Sequence, residues 1–378
     1  MVDDSIQTDR SPEEVKRSSR DPEALRLALE AWLGDRLPRG AAPQVSDLTS
    51  PSANGLSSET LLFDATWREE GEARGGSYVA RVEPDRHDCP VFPVYDLKAQ
   101  FELLKLVRER SSLPVPRVHW LELAPGYLGA PFFVMDRVEG RVPPDVMPYT
   151  FGSWLSEATP EQRRHLQDAS VGVLAGLHAI DASSPDLAFC ELDLPGDTPL
   201  QRHFENQRRY YAWARSDRHH PVLERAFEWL EAHWPEEEGE TVVSWGDSRI
   251  GNLLYDGFEP VAVLDWEMAG LGPRELDLGW MIFLHCFFDE LSRSGGQPGM
   301  PDFMQPGDVA ATYARLTGHE ARDLAWYQVY AALRHGIVMT RVHERRVHFG
   351  EDEWSEDVDA VIYHRATLER MLDGSWWR

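Results

Sequence analysis

Three oxygen-bearing side chains, those of Asp247, Asn252 and Asp265, stand close together in the sequence. The first two belong to the run WGDSRIGN at residues 245–252, and the third begins the run DWE at residues 265–267. A carboxylate and an amide oxygen suit Mg²⁺, which prefers hard oxygen ligands and completes its shell with water and substrate phosphates. A second carboxylate beside such a metal can orient an attacking hydroxyl and accept its proton. The spacing therefore predicts phosphate chemistry, with Asn252 and Asp265 as metal ligands and Asp247 as the catalytic base.

A β-hairpin would bring these side chains together. The short apolar runs LLY at residues 253–255 and VAVL at residues 261–264 are separated by a segment that contains Asp256-Gly257, which favours a turn. Because paired strand ends lie about 5 Å apart, Asn252 and Asp265 are expected to be neighbours. In the alternative interpretation, Asp247 and Asn252 only cap turns and Asp265 only ends a strand.

The stretch 242–280 resembles the core of the aminoglycoside phosphotransferase family, the small-molecule relatives of protein kinases. In that family the Asp of an H-G-D type loop is catalytic, while a following Asn and an Asp on the next hairpin hold magnesium. The matching positions are Asp247, Asn252 and Asp265. The family's D-L-G-W-type stretch is matched at residues 277–280, and the resemblance implies that Asp277 supports the catalytic loop without touching substrate.

One departure from the family pattern lies inside the catalytic loop. Trp245 stands where the family usually has His, a residue that packs and forms hydrogen bonds behind the loop. We expect the indole to keep the packing support and to lose the polar contact. Trp245 is therefore assigned a structural role.

The nucleotide-binding lysine that kinases carry on a small-lobe strand is a second departure. Arg81, which ends the predicted strand 77–81, is the expected substitute because a guanidinium binds phosphate oxygens bidentately. The family's partner Glu on the following helix falls on Gln100 in this sequence, which cannot form that ion pair. Alternatively, Arg81 is an ordinary exposed strand residue. No predicted strand carries any of the lysines in the chain, which are Lys16, Lys98 and Lys105.

Two further segments are assigned to the nucleotide by the resemblance. Residues 52–59 are similar to a phosphate-covering loop, in which Ser57 and Ser58 would contact phosphates; a plain surface turn would have the same composition. The strand-like run 131–136 leads into residues 137–140, which match the hinge between lobes. Backbone groups near Met135 and Val138 would meet the base of ATP or GTP, although an ordinary edge strand is the alternative.

The resemblance implies an α+β, bilobal protein-kinase-like fold. The small lobe would have an antiparallel β-sheet plus a helix, and the larger C-terminal lobe would be mostly helical. Helical spacing of apolar residues supports this organisation at 96–110, 161–181, 201–234 and beyond 309, while Arg74-Gly75-Gly76 predicts a hairpin loop. The expected domains are a mobile N-terminal tail at 1–21, a nucleotide-binding lobe at 22–136 and a catalytic and acceptor-binding lobe at 137–378.

The composition of the chain argues against some classes of binding partner. The net charge of −26 argues against nucleic acid. No apolar run approaches the roughly 20 residues that span a bilayer, and the start of the chain lacks a signal-peptide core, so we expect a cytoplasmic location without a membrane partner. An acidic surface could steer a cationic acceptor, whose ammonium groups would meet Glu267, Asp289 and Glu290.

The predicted activity is transfer of the γ-phosphoryl group of ATP to a hydroxyl of a small molecule. An aminoglycoside-like, amine-bearing acceptor is one candidate, and antibiotic modification would follow from the family's namesakes. An amino alcohol, a sugar or a macrolide is an alternative acceptor, because pockets vary freely on one fold. A second class of function is a kinase-fold protein that binds nucleotide or another ligand without turnover, which the departures at Trp245, Arg81 and Gln100 would favour.

Overall fold

The computed structural model describes residues 20–50, 59–145 and 148–377. The predicted tail at 1–21 therefore lies outside the described residues except for Arg20 and Asp21. Ser57 and Ser58, which were assigned to the nucleotide phosphates, also lie outside them. Within the described part of the chain, no helix has the length and apolar character needed to cross a membrane.

The N-terminal lobe is built on a five-stranded antiparallel sheet with the strand order β1-β2-β3-β5-β4. The predicted hairpin loop at Arg74-Gly75-Gly76 is wrong, because these residues belong to β3 and pair with β2. The turn between the two strands lies at 70–71. A Cβ on Gly75 would lie 2.4 Å from the carbonyl oxygen of Ala65, so this glycine permits close strand approach. The strands are β1 (Gln44–Val45), β2 (Glu59–Glu69), β3 (Glu72–Val82), β4 (Val118–Glu122) and β5 (Phe132–Asp136).

Two helices accompany this sheet. Helix α1 (Pro22–Arg36) contributes Trp32, whose ring lies 4.8 Å from that of Phe132 in the core of the lobe. Helix α2 (Leu97–Arg110) confirms the helical spacing predicted for 96–110, and Asp96 caps it by accepting a hydrogen bond from the amide of Ala99. Strand β5 ends at Asp136, where the boundary between lobes was predicted.

The C-terminal part of the chain is mostly helical, as expected. Its core is formed largely by apolar faces of the helices packing on one another, and helix α8 contacts α4, α5, α6 and α9. The helices are α3 (Pro160–His178), α4 (Pro199–Ala214), α5 (Pro221–Ala232), α6 (Glu275–Ser294), α7 (Pro306–Thr317), α8 (Leu324–His348) and α9 (Arg365–Leu372).

Two small antiparallel sheets frame the loop that carries the candidate chemistry. Strand β6 (Thr241–Ser244) pairs with β9 (Gly270–Pro273), and β7 (Leu253–Asp256) pairs with β8 (Glu259–Val263). The second pair is the predicted hairpin. The amide of Leu264 donates to the carbonyl of Asn252 at 2.9 Å, which confirms that the two ends of the hairpin are adjacent.

Candidate active site

The Asp247 carboxylate is held by three side chains. Trp280 Nε1 donates to Asp247 Oδ1 at 2.7 Å, and Asn252 Nδ2 donates to Oδ2 at 2.7 Å. Arg249 Nε lies 3.3 Å from the same carboxylate. These donors fix the orientation of a charged group that is still 16% exposed, so Asp247 is ordered and remains accessible to a small molecule.

Asp277, at the start of α6, ties down the backbone before Asp247. Its carboxylate accepts hydrogen bonds from the amides of Trp245 at 2.8 Å and Gly246 at 2.9 Å, and from Ser244 Oγ at 3.0 Å. His178 Nε2 lies 3.0 Å from it. Burial opposes the charge of Asp277, but the hydrogen bond from His178 and those from the two amides outweigh it and lower the pKa of this carboxyl.

The loop geometry requires Gly246 and uses Trp245. Gly246 has φ +86°, and a Cβ there would lie 2.1 Å from the carbonyl oxygen of Met268, so no other residue fits without a backbone shift. Trp245 is fully buried, and its Nε1 donates to the carbonyl of Leu264 at 2.8 Å. The expectation that Trp245 would lose its polar contact is therefore wrong, because the indole N–H provides one next to Asp265.

Arg81 and Asp265 meet across the cleft between the lobes. Arg81 lies on β3, as predicted, and its Nη2 donates to Asp265 Oδ1 at 2.6 Å. Glu267 lies 3.8 Å from the same nitrogen. Burial works against the guanidinium charge, but the carboxylates of Asp265 and Glu267 outweigh it and raise the pKa of Arg81. Asp265 has φ +60°, a conformation rare for residues other than glycine, which typically persists at functional sites.

Helix α2 supplies no carboxylate to neutralise Arg81. Gln100 is buried on α2 and lines the same cleft as Arg81, whereas Glu102 pairs with Lys105 on the helix surface at 3.2 Å. The carboxylates that face Arg81 therefore come from the segment after β8 and not from α2.

Asn252 and Asp265 offer two oxygen atoms of the kind that a hard divalent cation binds. Asn252 uses its amide nitrogen for Asp247, which leaves the amide oxygen for a ligand, and Asp265 supplies a carboxylate at the other end of the hairpin. Among the residues that the structure describes, no group of three His, Cys, Asp or Glu side chains could hold a metal. A site made of one carboxylate and one amide oxygen needs substrate phosphates and water to complete its shell, which is the pattern typical of magnesium.

A cleft of about 270 Å³ lies between the sheet and the β7–β8 hairpin. Its lining is largely apolar and includes Met135 and Val138, the two residues predicted to meet the base. The polar part of the lining includes Arg81, Asn252 and Asp265, together with Asp136, Arg137 and Glu139 beside Met135 and Val138. A largely apolar cleft with a few charged groups is typical of a site for a small ligand such as a nucleotide.

Sequence reasoning missed the pair formed by Arg249 and Asp145. Arg249 Nη1 donates to Asp145 Oδ2 at 2.5 Å, and its Nε faces Asp247. Burial opposes the charge of Arg249, but the carboxylates of Asp145 and Asp247 raise the pKa of this guanidinium. Arg249 lies two residues after Asp247 in the sequence and could have been noticed, whereas nothing in the sequence marks Asp145.

The three carboxylates predicted to meet a cationic acceptor are dispersed. Glu267 faces Arg81 and so belongs to the nucleotide side of the cleft. Asp289 accepts a hydrogen bond from the amide of Met300 at 2.6 Å. Glu290 is engaged by Thr367 and Arg370 near the C-terminus. The structure therefore does not bring Asp289 and Glu290 together with Asp247, because contacts within the large lobe occupy both.

Comparison with known families gives this geometry a context. The model of the phosphotransferase enzyme family matches residues 58–306, which is more than half of the 378-residue chain. The chain belongs to this phosphotransferase enzyme family. The match contains the catalytic loop, the hairpin and the strand of Arg81, and it confirms the family resemblance inferred from residues 242–280.

Solved structures show that the phosphotransferase chain has the predicted bilobal, kinase-like fold. A candidate aminoglycoside phosphotransferase from Ralstonia eutropha superposes with a TM-score of 0.63 at 22% identity, covering 92% of this chain and 96% of that one. A macrolide 2'-phosphotransferase from Brachybacterium faecium gives a TM-score of 0.53 at 18% identity, covering 92% and 98%. A thermostable aminoglycoside phosphotransferase in ternary complex with ADP and hygromycin B gives 0.52 at 16% identity, covering 91% and 98%.

Curated relatives of the phosphotransferase chain carry a different name. The probable acyl-CoA dehydrogenase IBR3 of Arabidopsis thaliana is 24% identical over 82% of this chain, but only 39% of that protein is covered. Acyl-CoA dehydrogenase family member 11 of Homo sapiens is 25% identical over 66% of this chain and 30% of its own length. The chain thus spans well under half the length of these relatives and resembles one part of each.

Proposed function

We propose that this chain is an ATP-dependent phosphotransferase that moves the γ-phosphoryl group of the nucleotide to a hydroxyl of a small molecule. The observation that carries the proposal is the proximity of Asp247, Asn252 and Asp265: Asn252 contacts Asp247, and Asn252 and Asp265 both line the cleft. Asp247 and Asn252 share a hydrogen bond, and Asn252 and Asp265 flank one hairpin. Family membership supports the same reaction class.

In this proposal the side chains have separate tasks. Asp247 orients the acceptor hydroxyl and accepts its proton while the oxygen attacks the γ-phosphorus and the bond to the β-phosphate oxygen breaks. Asn252 and Asp265 would hold Mg²⁺, which when bound neutralises the phosphate oxygens. Arg81 binds phosphate oxygens at the other side of the cleft. Asp277 keeps the loop in place and makes no contact with substrate.

Arg249 has a task that the sequence did not suggest. Its guanidinium is buried between Asp145 and Asp247, so the positive charge stands beside the place where the transferred group would pass. A preorganised cation at such a position stabilises negative charge that develops during transfer, and it does so without a reorganisation cost. Asp145 positions Arg249 for this purpose.

Trp280 is expected to hold Asp247 in its productive orientation. Replacing Trp280 with phenylalanine keeps most of the apolar contact and removes the N–H that donates to Asp247 at 2.7 Å. A hydrogen bond to a charged group contributes about 1.5–3 kcal/mol, so we expect kcat to fall about 10- to 100-fold. KM for ATP should stay within about twofold, because the indole N–H makes no contact with the nucleotide side. Steady-state kinetics would measure both values.

Trp326 provides the matched control. It is also buried, and its Nε1 donates to the carbonyl of Leu230 at 3.0 Å, on the large lobe's helical side. Trp326→Phe removes an equivalent N–H and should leave kcat unchanged even if the melting temperature falls. If kcat fell equally in both variants, we would conclude that Trp280 contributes only to the stability of the fold.

The reaction is tested by ATP consumption across a panel of hydroxylated acceptors. The solved relatives include aminoglycoside and macrolide phosphotransferases, so both drug classes belong in the panel, together with an amino alcohol and a sugar. The names of the curated relatives favour adding a hydroxylated acyl thioester of coenzyme A. Acceptor-dependent ADP release with a matching phosphorylated product supports the proposal, and its absence with every acceptor opposes it.

A second candidate is a kinase-fold protein that binds nucleotide without turnover. The observation that favours it is the replacement of the usual lysine by Arg81, whose guanidinium is engaged by Asp265. Saturable binding of magnesium-ATP without product from any acceptor would support this candidate.

A further inference from the structure

Helix α8 buries an arginine without a carboxylate partner next to the catalytic loop. Arg334 is only 4% exposed. In the part of the chain that the structure describes, it forms no ion pair, and its Nε has no hydrogen-bond partner. By contrast, the guanidinium groups of Arg81 and Arg249 each contact a carboxylate. Burying an unpaired charge costs stability unless other groups compensate for the lost water. Arg334 must therefore be stabilised by neutral groups.

Two aromatic rings and one carbonyl supply this compensation. The guanidinium carbon of Arg334 lies 4.6 Å from the ring centroid of Trp280 and 5.8 Å from that of Tyr330. At these distances a cation is attracted to the negative face of an aromatic ring. Nη2 also donates to the carbonyl oxygen of Gly246 at 3.2 Å. His203 adds no second charge at pH 7, because burial and the nearby Arg334 lower its pKa to about 4.

The contact with Trp280 connects Arg334 to the side chain of Asp247. The indole N–H of Trp280 donates to Asp247 Oδ1 at 2.7 Å, so the direction of this hydrogen bond depends on the orientation of the ring. The torsion that rotates an indole about its Cβ–Cγ bond has broad preferences, and packing must select one orientation. A cation over one face of the ring favours the orientation seen here. Arg334 therefore helps to point the N–H at the carboxylate.

The contact with Gly246 connects Arg334 to the backbone of the catalytic loop. The carbonyl of Gly246 and the amide of Asp247 belong to one planar peptide unit. On its other side, the amide of Gly246 donates to Asp277 Oδ1 at 2.9 Å. Because glycine is conformationally permissive, the orientation of this residue depends on such external contacts. Asp277 fixes the peptide unit before Gly246, and Arg334 fixes the one that carries Asp247.

We propose that Arg334 is a positioning residue for phosphoryl transfer, which holds the ring of Trp280 and the carbonyl of Gly246 so that Asp247 faces the acceptor hydroxyl. This inference rests on the proposed function and deepens it. Arg334 does not line the nucleotide cleft and acts through these two groups. A charge buried without a counter-ion is a local cost in stability, and such costs are typical of functional sites.

Two substitutions at position 334 test the role by steady-state kinetics. Arg334→Met keeps an unbranched side chain but removes the charge and the donors, so we expect kcat to fall about tenfold while KM for ATP stays within about twofold. Arg334→Lys supplies a cation that can again face the ring and donate to the carbonyl, and it should restore kcat to within about threefold of the unsubstituted chain. If methionine were tolerated as well as lysine, Arg334 would only fill space and the proposal would be overturned.

A double-mutant cycle shows whether Arg334 acts through Trp280. In Trp280→Phe the ring remains but the N–H is absent, so the orientation of the ring no longer affects Asp247. In that background Arg334→Met should lower kcat about threefold or less, instead of about tenfold, because the two residues share one effect. Equal fold losses in the two backgrounds would mean that Arg334 acts independently of Trp280, which overturns the proposal.

Arg341→Met is the matched control for the cycle. Arg341 is also buried on α8, with its guanidinium carbon 4.1 Å from the ring centroid of Trp213 and its Nη2 donating to the carbonyl of Pro90 at 2.9 Å. The same kind of substitution is thus made in the same kind of surroundings, away from the catalytic loop. Whatever its effect on kcat, that effect should be the same with Trp280 and with phenylalanine at this position.

The indole N–H of Trp280 gives a readout that needs no acceptor. In proton–nitrogen correlation spectra its signal is the one that Trp280→Phe removes. Arg334→Met should accelerate exchange of this proton with water about tenfold, because the hydrogen bond to Asp247 opens more often, whereas Arg341→Met should leave the exchange rate unchanged. An unchanged rate in Arg334→Met overturns the proposal.

This readout separates the role of Arg334 from the reaction itself. If no acceptor is phosphorylated but the signal of Trp280 responds as expected, the proposed reaction is opposed while the hold of Arg334 on Trp280 is supported. If an acceptor is phosphorylated with the same kcat by Arg334→Met and by the unsubstituted chain, the positioning role is overturned while the activity stands.

Discussion

Asp247→Asn should lower kcat about 10²- to 10⁴-fold, the range that a general base contributes. Asparagine has nearly the same shape, and its oxygen still accepts the hydrogen bond that Trp280 donates to Asp247. Its amide nitrogen cannot accept the hydrogen bond that Asn252 donates to the carboxylate, but Asn252 keeps its bond to the backbone carbonyl of residue 247. The substituted side chain cannot take a proton from an acceptor hydroxyl, and it removes a negative charge that faces Arg249. The affinity for magnesium-ATP should change little, because Asn252 and Asp265 remain. Single-turnover kinetics would measure the chemical step, and calorimetry would measure nucleotide binding.

Asp256→Asn is a suitable control for this substitution. Asp256 is an exposed residue at the tip of the β7–β8 hairpin, so its replacement makes the same chemical change in the same supersecondary unit. We expect wild-type kcat in that variant. If Asp247→Asn retained the wild-type rate of the chemical step, Asp247 would have no part in the mechanism.

The local half of the site follows directly from the sequence. Short apolar runs around Asp256-Gly257 specify a hairpin, and a hairpin necessarily places Asn252 beside the residue after its second strand. The helix at 96–110 was equally readable, because its apolar spacing and its Asp96 cap are local features. Such features depend on neighbours within about ten residues, so one sequence is enough to specify them.

The other half depends on contacts between distant segments. Arg249 pairs with Asp145 and Arg81 pairs with Asp265, and in each case the partners are separated by more than a hundred residues. Asp145 has no sequence pattern that distinguishes it from other acidic residues, and the pattern that singles out Asp265 does not indicate its pairing with Arg81. The pairing is set by how the lobes and the hairpin pack.

The acceptor side illustrates a different limit of sequence reasoning. Asp289 and Glu290 were expected near a cationic acceptor because the chain is acidic, but helix α6 carries them toward Met300 and toward α9. Likewise, α8 was predicted only as part of a helical region. The contact that its Arg334 makes with the carbonyl of Gly246 joins segments 88 residues apart, and no local pattern indicates it.

Asp265→Ala should abolish the dependence of ATP affinity on magnesium. The unsubstituted chain is expected to bind ATP more tightly with Mg²⁺ than in a chelator, because a carboxylate and an amide oxygen share the metal with substrate phosphates. Without Asp265 the two affinities should converge, while kcat falls as well. A comparison within one variant, with and without metal, is insensitive to the fraction of folded protein.

The comparison with and without metal is needed because Asp265 also neutralises Arg81. Their contact of 2.6 Å is largely buried, and removing one partner of a buried pair destabilises a protein by about 3–5 kcal/mol. Glu267, 3.8 Å from the same guanidinium, should reduce that loss. A lower melting temperature alone is therefore expected from the ion pair and says nothing about metal. The decisive result is the ratio of the two affinities: if Asp265→Ala keeps the wild-type ratio, the carboxylate serves only Arg81, and the metal must be held without it.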